Sequence, residues 1–183
     1  KIEKQYTDFP YPEPIDDMLG MLKRGYRQGS FPNDIWPKLF PEKDYTADLT
    51  VLIAGCGTNQ AIAHALAFPN SEHYAIDVSE KSLKHVAKQI KKYGIKNLEI
   101  ASSGVPNLKT TMMSLDDMSS VPGVYCPADL VTVQFAISDL YPGALREIRK
   151  LLRDGGIIVG THWIEEGFVF DSVWKATIAD ILD

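Results

Sequence analysis

Thr50 to Gln60 reads TVLIAGCGTNQ. Val51, Leu52, Ile53 and Ala54 run without alternation into Gly55, Cys56, Gly57, Thr58 and Asn59, and Ala61, Ile62, Ala65 and Leu66 then recur at helical spacing. The pattern predicts a strand, a glycine turn and a helix. An unbroken apolar run is what a strand covered on both faces shows, and two glycines permit a tight turn with close approach of a ligand to the backbone. The helix that follows aims its unpaired N–H groups at the same place and favours an electronegative group there. An ordinary strand-to-helix turn with two convenient glycines accounts for these residues equally well.

Asp77 tips the balance. It closes a second apolar run, His73 to Ile76, and follows Gly57 by about 20 residues, where an acid at the tip of a second strand would meet the ribose hydroxyls of a nucleotide cofactor. The dinucleotide fingerprint wants a third glycine where this chain has Gln60, which moves a nicotinamide-dependent oxidoreductase to a distant alternative. The two features resemble more closely the class I S-adenosylmethionine-dependent methyltransferases, whose glycine loop follows strand one and whose acid ends strand two. That resemblance implies a Rossmann-like α/β fold, a doubly wound sheet of mostly parallel strands with helices on both faces. It also implies cofactor contacts at Gly55, Gly57 and Asp77, with Cys56, Asn59, Gln60 and Val78 beside them.

Composition bounds the function. A chain of 183 residues, 45% hydrophobic, can bury one sizeable core. A net charge of −5 speaks against a phosphate backbone as main partner, so a small-molecule or protein acceptor is expected rather than nucleic acid. Cys56 and Cys126 make neither a disulfide framework nor a metal cluster, and no metal is expected. No apolar run approaches a membrane span and no charged-then-apolar leader opens the sequence, so a cytoplasmic protein is expected. The sequence starts at Lys1, as an excerpt of a longer chain would.

Residues 1–48 form an N-terminal extension ahead of a core at 49–183. The first 49 residues hold Pro10, Pro12, Pro14, Pro32, Pro37 and Pro41, six of the eleven prolines, among many aromatic residues. Phe9 to Pro14 should be extended and lie on something else. Asp16 is placed to cap a short helix through Tyr26, with Gly25 or Gly29 near its end. The extension has two readings, a flap over a cofactor site or an arm covering hydrophobic surface.

Beyond Leu49 the pattern is regular. The first core helix stops at Pro69. Ser79 caps a second helix with Leu83, Val86, Ala87 and Ile90 as its apolar stripe and Gly94 at its end. Lys81, Lys84, Lys88, Lys91 and Lys92 lie mostly off that stripe, as on a solvated face. Strand three has two candidate positions, Asn97 to Ala101 and Thr110 to Leu115. Asp129 to Phe135 is a strand, a helix is expected from Pro142 with Leu152 among its inward residues, and Asp154, Gly155 and Gly156 turn the chain into strand five, Ile157 to Gly160.

The sequence DLVTVQFAISDL, a helix and LLRDGGIIVGT resemble strands four and five of the same methyltransferase superfamily, so the resemblance runs from about Leu49 to Thr161. Together with FPYP and MSLDDM it points to an uncharacterised bacterial branch. It implies adenine contacts just after strand three, at Ser114 and Leu115 or at Asp117 and Met118, with Ser102 to Gly104 as a weaker option. Gln134 and Phe135 would then face the sulfonium. Two departures stand out: Ile53 occupies the place of an acid that many members carry in strand one, and Asn59 replaces the third glycine, where its tolerance of left-handed backbone would let the turn survive.

Methyl transfer from S-adenosyl-L-methionine, which leaves S-adenosyl-L-homocysteine, is an in-line displacement whose electronics belong to the cofactor. The protein chiefly positions two reactants and excludes water, so no catalytic residue is named. Asp139, Tyr141 and His162 lie where a base would sit if the acceptor arrives protonated. The expected function is therefore a methyltransferase, with a non-catalytic cofactor-binding module of the same fold as the alternative. After strand five too little chain remains for the family's closing hairpin, so a core of five parallel strands is expected, with an edge open or covered by further chain or a partner molecule.

Overall fold

The computed structural model describes residues 8–27, 31–39, 41–42, 48–77, 79–102, 128–134 and 152–161. Among the described residues five strands form one sheet: β1 (Thr50–Ala54), β2 (Glu72–Asp77), β3 (Leu98–Ser102), β4 (Ala128–Gln134) and β5 (Leu152–Thr161). Their spatial order is β3-β2-β1-β4-β5, and every pairing is parallel. This is the expected Rossmann-like arrangement. The apolar run explains why β1 is central: Val51 and Ile53 on one face and Leu52 on the other are all at most 2% exposed, so both faces of the strand are covered.

Helices fall where local signals put them. In the core, α3 (Gln60–Ala67) follows the glycine loop and α4 (Glu80–Tyr93) follows β2. Ser79 caps α4 by accepting from the Ser82 N–H at 3.2 Å, and Gly94 closes it with φ 65°, a conformation that costs glycine little. One position of the expected stripe is wrong. Ala87 is exposed while Gln89 is buried with Leu83 and Val86, because Gln89 faces the N-terminal segment rather than solvent.

The extension contains α1 (Met18–Lys23) and α2 (Pro32–Leu39). Asp17, not Asp16, caps α1 by accepting from the Gly20 N–H at 3.0 Å, and the helix stops at Lys23 rather than Tyr26, with Gly25 at φ 92° just beyond. The sequence reading did not foresee α2, although Pro32 at its first position and Asp34 in its first turn are ordinary start signals. Pro37 inside it masked the pattern. Phe31, just before α2, stands edge-on to His64 at 5.0 Å and to Phe68 at 5.3 Å between centroids, joining the extension to the core.

Of the two positions expected for strand three, the second, Thr110 to Leu115, lies outside the described residues, and the first is a strand, shifted by one residue to Leu98–Ser102. Asn97 ahead of it donates to the carbonyls of Ala65, Phe68 and Ser71, gathering the end of α3 and the turn after it. Strand five starts earlier than expected, so Leu152, expected among the inward residues of a helix, belongs to the strand. Ala128 pairs with Leu152 but Leu130 pairs with Ile157. The residues read as a turn, Asp154 to Gly156, are thus an irregularity within the strand. The expected helix from Pro142 and the question of strands after Thr161 lie outside the described residues.

Candidate functional site

The order of the sheet reverses between β1 and β4, and in open α/β sheets the crevice beyond the carboxyl ends of the strands at such a point is where ligands bind. The glycine loop leaves β1 there. Gly55 and Gly57 take φ of 69° and 55°, the left-handed region that side chains disfavour. The N–H groups of Gly55 and Cys56 both donate to the Ile76 carbonyl, at 2.9 and 3.0 Å, so the tip of β2 holds the loop. Asp77, half-buried, completes the hold: its carboxylate accepts from the Gly57 N–H and from the Ser79 N–H, each at 2.7 Å. One acid therefore fixes the glycine loop and the start of α4 together.

The extension lies on this loop. Thr58 Oγ1 donates to the Pro12 carbonyl at 2.5 Å. Asn59 donates through Nδ2 to the Glu13 carbonyl at 2.8 Å and accepts through Oδ1 from the Ile15 N–H at 2.9 Å. A Cβ built on Gly57 would stand 2.5 Å from the Tyr11 carbonyl oxygen, so the missing side chain makes room for the extension itself. Further along, the Asp16 carbonyl accepts from Tyr93 Oη at 3.1 Å and from Lys92 Nζ. Gln89 Nε2 donates to the Ile15 carbonyl at 3.1 Å and lies 3.3 Å from that of Asp16. Residues 11–17 thus form a strap running from the glycine loop to α4. Phe9 and Tyr11 at its outer end are exposed.

The structure brings Gly55, Cys56, Gly57, Asn59, Gln60 and Asp77 together around the loop. Their roles differ from one another. Asn59 takes φ −120°, so this loop does not require left-handed geometry at the third glycine position. Gln60, 3% exposed, donates to Thr132 Oγ1 at 2.9 Å and links α3 to β4. Cys56 is a core residue whose thiol is raised well above its ordinary value, first by burial and then by the charge of Asp77; it is a neutral thiol rather than a nucleophile. Gln134 ends β4 opposite Thr161, at the same carboxyl end. Val78, Ser114, Leu115, Asp117, Phe135, Asp139, Tyr141 and His162 lie outside the described residues.

Thr58 was not among the expected site residues, and neither were Gln89 and Tyr93. Their partners lie on the strap, far along the chain, and no periodicity announces such contacts. Three lysines of α4 are engaged within the chain: Lys84 with Glu80 on the same helix at 3.4 Å, Lys88 with Asp16 of the strap at 3.7 Å, and Lys92 with the Asp16 carbonyl and over the ring of Tyr93 at 5.0 Å. Among the described residues no group of His, Cys, Asp and Glu is arranged to hold a metal, and no helix is long and apolar enough to cross a membrane.

Comparison with known proteins agrees with this architecture. Residues 52–158, more than half of the chain, match the model of a family described as methyltransferase domain. Among solved structures, PKMT2 from Rickettsia typhi in complex with AdoHcy is similar with 22% identity and a TM-score of 0.55, over 71% of this chain and 24% of that one. A SAM-dependent methyltransferase from Aquifex aeolicus is similar with 18% identity and a TM-score of 0.53, over 86% of this chain and 78% of that one. Coclaurine N-methyltransferase bound to N-methylheliamine and SAH gives 17% identity and a TM-score of 0.55, over 93% and 51%. The chain thus spans about a quarter of the length of the Rickettsia protein. At these identities the likeness is one of fold.

Proposed function

We propose, because this chain belongs to the methyltransferase-domain family, that it transfers a methyl group from S-adenosyl-L-methionine to a small-molecule or protein acceptor. The observation that carries the reading is the joining of Asp77 to the glycine loop. An acid at the tip of β2, within hydrogen-bond distance of Gly57, stands where a nucleoside cofactor lying across the carboxyl ends of β1 and β2 presents its ribose. A carboxylate offers about four lone-pair positions, so accepting from the Gly57 and Ser79 amides is compatible with accepting ribose hydroxyls as well. The residues present fit the cofactor in a second respect. Gly55 is exposed with a positive φ, which leaves its backbone open to close approach from outside.

The cofactor supplies the electrophilic methyl group. The chain's own residues bind and orient. Asp77 would hold the ribose, and Gly55 would admit the methionine portion. The strap would cover the site from the side of Thr58 and Asn59 and keep water from the reacting atoms, as lids do in other enzymes. The acceptor would enter beside Gln134, at the end of β4.

Titration calorimetry of the full chain with S-adenosyl-L-homocysteine and with NAD tests the reading. Binding of the first with negligible heat from the second is expected. Tight binding of NAD alone would overturn it, because the missing third glycine at Gln60 would then have been no obstacle.

A further inference from the structure

We propose that Asn59 is the latch that holds the Tyr11–Asp17 strap shut on the glycine loop, a positioning residue through which cofactor affinity comes to depend on the strap. The inference rests on the cofactor reading above and adds the element that controls access to the site.

The starting point is a local preference that goes unused. Asn59 occupies the N-cap of α3, where an asparagine side chain normally accepts from an N–H of the first turn. Here it makes no such bond. Both ends of its amide are instead committed to the strap: Oδ1 accepts from the Ile15 N–H and Nδ2 donates to the Glu13 carbonyl, across 44 and 46 residues of sequence. The side chain is 1% exposed, so water does not compete for these bonds.

An amide that offers one acceptor and one donor matches the N–H and C=O of a neighbouring backbone, and it fixes their register. Sliding the strap by one residue would break both bonds. Thr58 and Gly57 enforce the same seat, one by its bond to Pro12 and the other by making room for the Tyr11 carbonyl.

The two ends of the strap are held by different parts of the molecule. Asp16 is fastened to Gln89, Lys92 and Tyr93 on α4, while Tyr11 to Ile15 are fastened to the loop that would meet the cofactor. Asp16 can therefore serve as the fixed end and the bonds at Asn59 as the releasable one. A ligand that orders the glycine loop strengthens the latch, and by linkage a closed latch strengthens ligand binding.

Asn59→Ser separates this role from plain stability. Serine caps helices as well as asparagine does but is too short to reach Glu13 and Ile15 together. The gained cap offsets part of the two lost bonds, so the melting temperature should fall only slightly, while the Ile15 amide exchanges with solvent about tenfold faster, the effect of one lost hydrogen bond. Affinity for S-adenosyl-L-homocysteine should fall by about the same factor. Saturating S-adenosyl-L-homocysteine should slow Ile15 exchange in the wild-type chain and much less in the variant. Asn59→Asp keeps the acceptor for Ile15 and loses the donor to Glu13, so its exchange rate should lie between the two.

Unchanged Ile15 exchange in both variants overturns the latch, whatever the ligand does. A released strap with undiminished affinity overturns the coupling, and weaker affinity with a strap still closed assigns Asn59 to the ligand directly. A variant that loses its fold makes Asn59 structural and also overturns the proposal. Failure of the wild-type chain to bind S-adenosyl-L-homocysteine would defeat the cofactor reading separately, since the exchange comparison decides the latch without ligand.

Discussion

Two aspartates, one at each end of the sheet, do the same local chemistry to different ends. At the amino ends of the strands Asp129, 4% exposed, accepts from the Thr50 N–H at 2.8 Å and pairs with Arg153, so β1, β4 and β5 are tied together. At the carboxyl ends Asp77 accepts from the Gly57 and Ser79 N–H groups but remains half-buried, beside an exposed Gly55. Both satisfy backbone donors in the same way. The difference is what completes the shell. Asp129 has a guanidinium supplied by its own chain, whereas Asp77 sits at the end of the fold where ligands of such sheets bind. A carboxylate closed by its own chain is a tie, and one at the open end can also be a contact.

That contrast can be broken most forcefully at Asp129. Asp129→Ala should lower unfolding stability by about 3 kcal/mol, the upper end for hydrogen bonds to a charged group, because it leaves the half-buried Thr50 N–H without its acceptor and removes the partner of Arg153. Affinity for S-adenosyl-L-homocysteine, measured on the folded fraction, should not change. A denaturant midpoint equal to the wild type would show the amino end to be less tightly tied than its geometry says.

The amino end should also be the pH-sensitive one. His73, near the start of β2, is lowered from 6.5 to about 4, by burial first, against which the carbonyls of Asn97 and Ser71 pull upward. His64, whose ring lies 5.9 Å from that of His73, is lowered well below its ordinary value by burial and then by His73. The unfolded chain takes up these protons near pH 6.5 while the folded chain resists. The stability present above pH 6.5 is therefore lost as pH falls toward 4, by about 3 kcal/mol from His73 alone. Melting curves between pH 7 and pH 4 check this, and His73→Gln should flatten the slope. Equal slopes in wild type and variant would remove His73 from the account.

A smaller effect is expected at the carboxyl end. Gly57→Ala meets a backbone at φ 55° and a Tyr11 carbonyl 2.5 Å from the new Cβ. The left-handed strain costs about 1 to 2 kcal/mol, and the strap must move aside. Proteolysis near Tyr11 should accelerate accordingly. Resistance like that of the wild type would mean that the loop, rather than the strap, yields.

How much of this was legible in the sequence follows from the range of each interaction. The unalternated run Val51 to Ala54, the turn at Gly55 and Gly57, the cap at Ser79 and the stop at Gly94 are written within a few residues of where they act, and each was read correctly. Asp77 was legible because the βαβ unit fixes its distance from Gly57. The register of the α4 stripe was misjudged at Ala87, since a buried Gln89 becomes intelligible only with Ile15 and Asp16 beside it. Pro37 hid α2. The role of Asn59 was not legible at all. Its residue type suggested backbone tolerance at the place of a third glycine, and its actual partners lie more than forty residues away.

The central claim is that Asp77 joins the glycine loop to the ribose of a bound cofactor. Asp77→Ala would strand both amides it serves, whereas Asp77→Asn keeps an acceptor for one of the two and is the milder probe. Calorimetric titration of that variant with S-adenosyl-L-homocysteine, on the folded chain, should show affinity weakened by about 1.5 to 3 kcal/mol, the range for hydrogen bonds to a charged group, with a melting temperature lowered by the loss of one of the two amide bonds. Wild-type affinity in a folded Asp77→Asn chain would contradict the claim and leave Asp77, like Asp129, a tie within the fold.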